Sequence, residues 1–459
     1  MSAIFNCDRY RCNMSNNDLP PFLIQGEPAR LFPVLSLTSK EGRATSILLA
    51  VIQHVPALAQ AIFKPFNQRI GQRSRLSCFT EIVFKSSGKS HKARPDGLLE
   101  LQTGRSEWRC LVEAKIGNAF LEVDQIEEYR AIAKENKIDA LLTISNQFTY
   151  KADVHPLPQV TNAKSKTLVI HWSWLAILTE IDLILSDEAV TDAEQIMLLR
   201  ELKRFLSHES TGVKGFDRMP PEWSELNKLV SAGGVITTKN PLAGSTVRAW
   251  QQEVRDLSLL LTREVRESVT ERVPNKWRKP DERYKAELKR LCDRNELITE
   301  LNIPGAAAVL DVRADLQRRV IEVGMTLDAP TDKKSNTARL NWLLRQLKNV
   351  SSNEAYITAY WPGSSQPTVH ALSPLQEQPD LIEEGKQHLQ AHSFRVFLSK
   401  SLGVRFTQQQ NFIVDLEQAV PDFYATMGQN LKAWQKPAPK IEQKISEPRD
   451  DGLTGKDLP

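Results

Sequence analysis

The stretch RPDGLLELQTGRSEWRCLVEAKIGNAFLEVDQIEEY, residues 94–129, decides the reading of the fold. A strand follows Pro95-Asp96, a turn falls at Gly104, and a second strand ends in Glu113-Ala114-Lys115. A helix carrying Gln125 and Tyr129 comes next. Side chains alternate faces along a strand, so Glu113 and Lys115 project from one face and Ala114 from the other. The runs flanking Gly104 are expected to pair as antiparallel neighbours, which sets Asp96 beside Glu113 and Lys115. Two carboxylates and an ammonium embedded in an apolar strand are costly unless something binds them. A divalent metal is the usual answer.

Upstream, residues 37–66 carry apolar side chains at helical spacing, with Glu41 in the first turn and Pro56 as a kink or break. Residues 78–84 read as a strand, and KSSGKSHKAR (85–94) as a polar, basic turn. Downstream of the opening stretch, a helix over 121–136 is followed by a short apolar strand, 139–145. Residues 167–181 then run from strand into apolar helix. The order predicts an α/β domain with a mixed sheet over residues 30–185.

The remaining chain divides by pattern. Residues 1–29 read as a flexible lead-in, and 190–295 as a helical linker domain. An α+β accessory domain is expected over 297–433, and 435–459 as a disordered tail rich in Pro, Lys and Asp. With 459 residues, 41% hydrophobic and 25% charged, the composition is that of a soluble protein with two or three domains. A net charge of +4 says little about partners until its distribution is known. Cys7, Cys12, Cys78, Cys110 and Cys292 form no CxxC pair, which argues against a disulfide framework or zinc site and favours a reducing, cytoplasmic setting. No membrane span is expected, because the most apolar helical run is broken at Gln53, His54 and Pro56.

Together, Pro95-Asp96, Glu113-Ala114-Lys115 and the Gln125/Tyr129 spacing resemble the PD-(D/E)xK nuclease superfamily, the last being similar to the QxxxY element of its RecB-like members. The resemblance covers about a third of the chain. It implies a restriction-endonuclease-like α/β/α core and hydrolysis of DNA phosphodiester bonds, leaving a 5′ phosphate. Mg²⁺, with Mn²⁺ as substitute, would be held by Asp96, Glu113 and the Ala114 carbonyl. Lys115 would orient the attacking water or stabilise developing charge. Gln125 and Tyr129, one helical turn apart, would face the metal. Glu41 is the favoured further acid, with Glu81 competing for that role. The family's biology points to bacterial genome defence or repair.

The turn before the PD strand carries Lys85, Lys89, Lys92 and Arg94, which suits contacts to the phosphate backbone. The charged run 263–294 mixes acids with its bases and reads as a solvated helix. His171, Trp172 and Trp174 sit where a strand enters a helix and are read as core. The partners expected are DNA, a homo-oligomeric contact through the C-terminal region, and a protein activator. Two other readings stay open: the same fold as a non-catalytic module binding nucleic acid or protein, and an RNA-directed activity.

Overall fold

The computed structural model describes residues 19–33, 35, 39–85, 94–147, 155–157, 159–160, 166–187, 190–277, 280–364 and 366–436. Lys89, Lys92 and most of the expected tail lie outside these residues.

The first half builds on a six-stranded mixed sheet. Its strands are β1 (Leu23–Pro28), β2 (Ser74–Phe84), β3 (Gly97–Thr103), β4 (Ser106–Ala114), β5 (Ala140–Ser145) and β6 (Leu168–Ser173), adjacent in that order. Strands β1 to β4 run antiparallel to their neighbours, and β4, β5 and β6 are mutually parallel. β3 and β4 pair across the two-residue loop Gly104-Arg105, where Gly104 takes φ +62°. The lead-in expected over 1–29 therefore needs correcting at its end. β1 extends the sheet there, using main-chain pairing that its short, half-exposed sequence does not advertise.

Both faces of the sheet are covered. Helices α1 (Lys40–His54) and α2 (Pro56–Phe63) meet at a bend of 109°, with Pro56 opening the second helix where its missing N–H does no harm. They share a core with Leu99, Cys110, Val112, Leu142 and Ile170, and with α4 (Trp174–Ser186). Helix α3 (Val123–Glu135) covers the opposite face through Ile126, Tyr129 and Ile132, against Leu98, Leu111, Leu141 and Val169. Among the described residues no single helix is long and apolar enough to cross a membrane. The apolar residues of the bent pair α1–α2 are buried against the sheet.

Beyond residue 190 the buried clusters divide the chain differently from the expected 190–295 unit. α5 (Ala193–Leu206) packs into the first core through Leu199, Leu202 and Leu206. α6 (Pro221–Ser231), α7 (Pro241–Val265) and α8 (Pro280–Arg294) share a core with the C-terminal sheet. That sheet is fully antiparallel, in the order β12-β11-β13-β10-β9-β8-β7. Its strands are β7 (Thr270–Glu271), β8 (Glu296–Asn302), β9 (Leu310–Asp315), β10 (Val320–Asp328), β11 (Ala355–Tyr360), β12 (Thr368–Ala371) and β13 (Ser393–Ser401). α9 (Asn336–Leu344), α10 (Leu372–Glu377) and α11 (Gln409–Thr426) complete this half. The reason for the altered division is the apolar stripe of α7, where Val247, Trp250, Val254, Leu257 and Leu261 are all buried and need a sheet to cover.

Candidate active site

The register of β3 on β4 places Gly97 opposite Val112, so Asp96 comes opposite Glu113. Local sequence enforces this. Pro95 holds an extended approach. Gly97 has no room for a side chain, because a Cβ there would lie 2.7 Å from Leu49 Cδ1 and 3.0 Å from the Phe79 carbonyl oxygen. Asp96 thus enters the sheet tight against α1, and its Oδ2 accepts the Ala114 N–H at 2.7 Å.

Glu113 is 1% exposed. Its Oε1 accepts from Lys115 Nζ at 2.6 Å and from Gln125 Nε2 at 2.8 Å. Its Oε2 is buried with no hydrogen-bond partner. Gln125 Nε2 also reaches the Tyr129 hydroxyl at 2.9 Å, and that hydroxyl donates to the Arg94 carbonyl at 3.3 Å. The i, i+4 spacing on α3 therefore delivers both side chains to Glu113 and to the PD segment.

Lys115 is fixed along its whole length. Its N–H donates to the Ile144 carbonyl at 2.7 Å, and its carbonyl accepts Trp174 Nε1 at 2.8 Å. Its ammonium lies 3.8 Å from Glu41 Oε2 in addition to Glu113. Glu41 comes from α1, on the other side of the sheet, and meets the site around the end of β4. Its Oε1 accepts the Ile116 N–H at 3.4 Å. Glu41, not Glu81, is thus the acid hydrogen-bonded into this constellation. Glu81 is exposed on a bulge of β2, at φ +53°, with its carboxylate over Gly42.

The electrostatics follow from burial. Burial, with the Glu113 charge second, pushes the Asp96 carboxyl up to about 8. Burial also raises Glu113, against the opposing pull of Lys115. For Lys115 burial acts downward, but its hydrogen bond to Glu113 and the charges of Glu113, Glu41 and Asp96 outweigh it and hold the ammonium above its ordinary value. Burial, then the neighbouring Glu113 charge, drives the Tyr129 phenol upward, so it stays a neutral donor. A hard divalent cation fits this donor set. It would supply a partner for the orphaned Glu113 Oε2 and compensate two buried carboxylates at once.

The basic residues are only partly gathered. Arg94 is exposed beside Tyr129. Lys85 is exposed, and its ammonium donates to the Pro21 carbonyl at 2.7 Å. Sequence reasoning missed Lys214, an exposed base whose Nζ is 3.2 Å from Asn118 Oδ1, three residues past Lys115. It belongs to a strap whose Gly212 carbonyl accepts the Gly117 N–H at 3.0 Å, with both glycines at positive φ. Nothing in the sequence pairs residues so far apart.

His171 occupies the same sheet row as Glu113 and Thr143 but is saturated. Its Nε2 donates to the Gln147 carbonyl at 2.9 Å. Its Nδ1 must then accept from the Thr143 hydroxyl, at 3.0 Å. His155 accepts the Leu157 N–H on Nδ1 and donates from Nε2 to Thr143. Both ring nitrogens of His155 and of His171 are thus paired with the imidazoles neutral, and Trp174 is fully buried, as core residues should be. The chain gives no significant match to any family model, curated protein or solved structure.

Proposed function

We propose that the chain is a Mg²⁺-dependent deoxyribonuclease of the PD-(D/E)xK type, its first half a restriction-endonuclease-like core. The observation that carries this reading is the hydrogen-bonded convergence of Asp96, Glu113, Lys115, Gln125 and Tyr129 at the end of β4, with a buried Glu113 oxygen left unpartnered. A cation held by Asp96, Glu113 and the Ala114 carbonyl would supply Lewis acidity toward a phosphate and lower the pKa of a bound water.

The protein's own groups do the rest. Lys115, its ammonium favoured by Glu113 and its backbone fixed at both ends, orients the attacking water and offsets charge on the phosphate. Glu41 shares the Lys115 ammonium and so keeps it turned toward the strand end. Gln125 holds Glu113 in one rotamer, and Tyr129 ties that helix to the PD segment. Arg94 and Lys214 offer exposed positive charge for the backbone of the nucleic acid.

The test is conversion of supercoiled plasmid, linear duplex and single-stranded DNA and RNA by the full-length protein with Mg²⁺, Mn²⁺ or EDTA. DNA nicked or degraded with either metal and intact in EDTA supports the proposal. Binding to nucleic acid without cleavage of any form would favour the non-catalytic module instead.

A further inference from the structure

We propose a second divalent-cation site, formed by Glu253 and Asp256 of α7 with Glu417 of α11, distinct from the Asp96–Glu113 pair. One carboxylate oxygen of each residue lies within 4.8 Å of the other two. Oxygens bound to one hard cation at about 2.0–2.6 Å span up to roughly 5 Å, so the spacing suits Mg²⁺, Ca²⁺ or Mn²⁺.

A second observation points to a ligand. Glu253 is fully buried, aims its carboxylate into the cluster, and has no hydrogen-bond partner on either oxygen. An acid so placed needs a proton or a cation. The groups around it are mostly further acids. Asp256 and Glu417 act on Glu253, and Asp217 acts on Glu417, while Arg263 is the base felt by Asp256. Burial raises all three carboxyls, Asp256 to about 6 and Glu417 to about 8.

The site also has a built wall. The Phe216 N–H donates to Asp256 Oδ2, and Gly215 lets the backbone approach, since a Cβ there would sit 2.6 Å from that oxygen. The same strap continues back to Gly212, whose carbonyl holds Gly117 two residues past Lys115. A cation here braces α7, α11 and the strap that borders the candidate active site. This proposal stands on its own residues and does not depend on the nuclease reading.

The experiment uses the full-length chain carrying Asp96→Asn and Glu113→Gln, stripped with EDTA and titrated with Mn²⁺ by electron paramagnetic resonance. A single bound Mn²⁺ is expected. Adding Glu253→Gln and Glu417→Gln should weaken it about 100-fold or more. As a check on folding, Glu417→Gln added to the Asp96→Asn/Glu113→Gln chain, at the half-buried rim, should melt in EDTA no lower than that parent, yet lose the rise in melting temperature that Mn²⁺ or Ca²⁺ gives the parent. Absence of bound Mn²⁺ in the Asp96→Asn/Glu113→Gln chain, binding that survives Glu253→Gln/Glu417→Gln, or a melting temperature of the Asp96→Asn/Glu113→Gln chain indifferent to both ions would overturn the site.

Discussion

Two buried carboxylate clusters, one in each half of the molecule, differ in the company they keep. Asp96, Glu113 and Glu41 surround a lysine, and that lysine, a glutamine and two main-chain N–H groups bond one oxygen of each carboxylate. Glu253, Asp256 and Glu417 have one main-chain donor for Asp256 and none for Glu253. On the proposed reading the first would be a reaction centre, because it holds a positioned ammonium among its acids. The second would be a clamp, because it offers carboxylate oxygens with no such ammonium. Acid count alone does not separate these uses; the positioned ammonium does.

The largest test of that contrast is catalytic. Glu113→Gln or Asp96→Asn should lower DNA cleavage by about 100- to 1,000-fold, whereas Glu417→Gln should leave cleavage within about 10-fold. Equal losses from both clusters would erase the distinction. Next in size is the pH dependence of stability near the first cluster. Burial holds the His171 imidazole down at about 4, against 6.5 when unfolded. The unfolded chain therefore binds the proton first as pH falls below 6.5, so this histidine's contribution is complete above 6.5 and lost progressively toward pH 4. Urea unfolding at pH 7.5 and 4.5 should show a wild-type loss exceeding that of His171→Gln by roughly 2–3 kcal/mol. An identical pH dependence in the two proteins would mean that His171 is not neutral by burial.

Smaller again is Gly97→Ala, which forces a methyl against Leu49 and the Phe79 carbonyl. It should cost about 1–3 kcal/mol in urea unfolding and reduce cleavage by displacing Asp96. Smallest is Arg263→Ala. It breaks a 3.0 Å pair with Asp182 that links α7 to α4. Both side chains are partly exposed, so about 0–1 kcal/mol is expected.

The two clusters also differ in how far the sequence revealed them. Asp96, Glu113, Lys115, Gln125 and Tyr129 lie within one strand–turn–strand–helix unit, where period and turn chemistry fix neighbours, so their convergence is legible from spacing. Glu41 needed one more assumption, the position of the first helix, and in the structure it lies beside Lys115 and Ile116. Glu253 and Glu417 are separated by an entire sheet. Only the packing of α11 on α7 brings them together, and no local pattern encodes that. The strap from Gly212 to Phe216 and the role of Trp174 in holding the Lys115 carbonyl were hidden for the same reason. β1 escaped because its pairing is main-chain and half of its residues are exposed. The altered division of the helices after residue 190 reflects which sheet covers each apolar stripe, a property of partners rather than of the helices themselves.

The most direct measurement is the single-turnover rate of plasmid cleavage in saturating Mg²⁺ by wild-type protein and by Lys115→Ala, with DNA affinity recorded alongside. The account predicts cleavage by the wild type and a loss of about 100-fold or more in the variant, at nearly unchanged DNA affinity. A variant that cuts as fast as the wild type, or a wild type that cuts nothing, would contradict it.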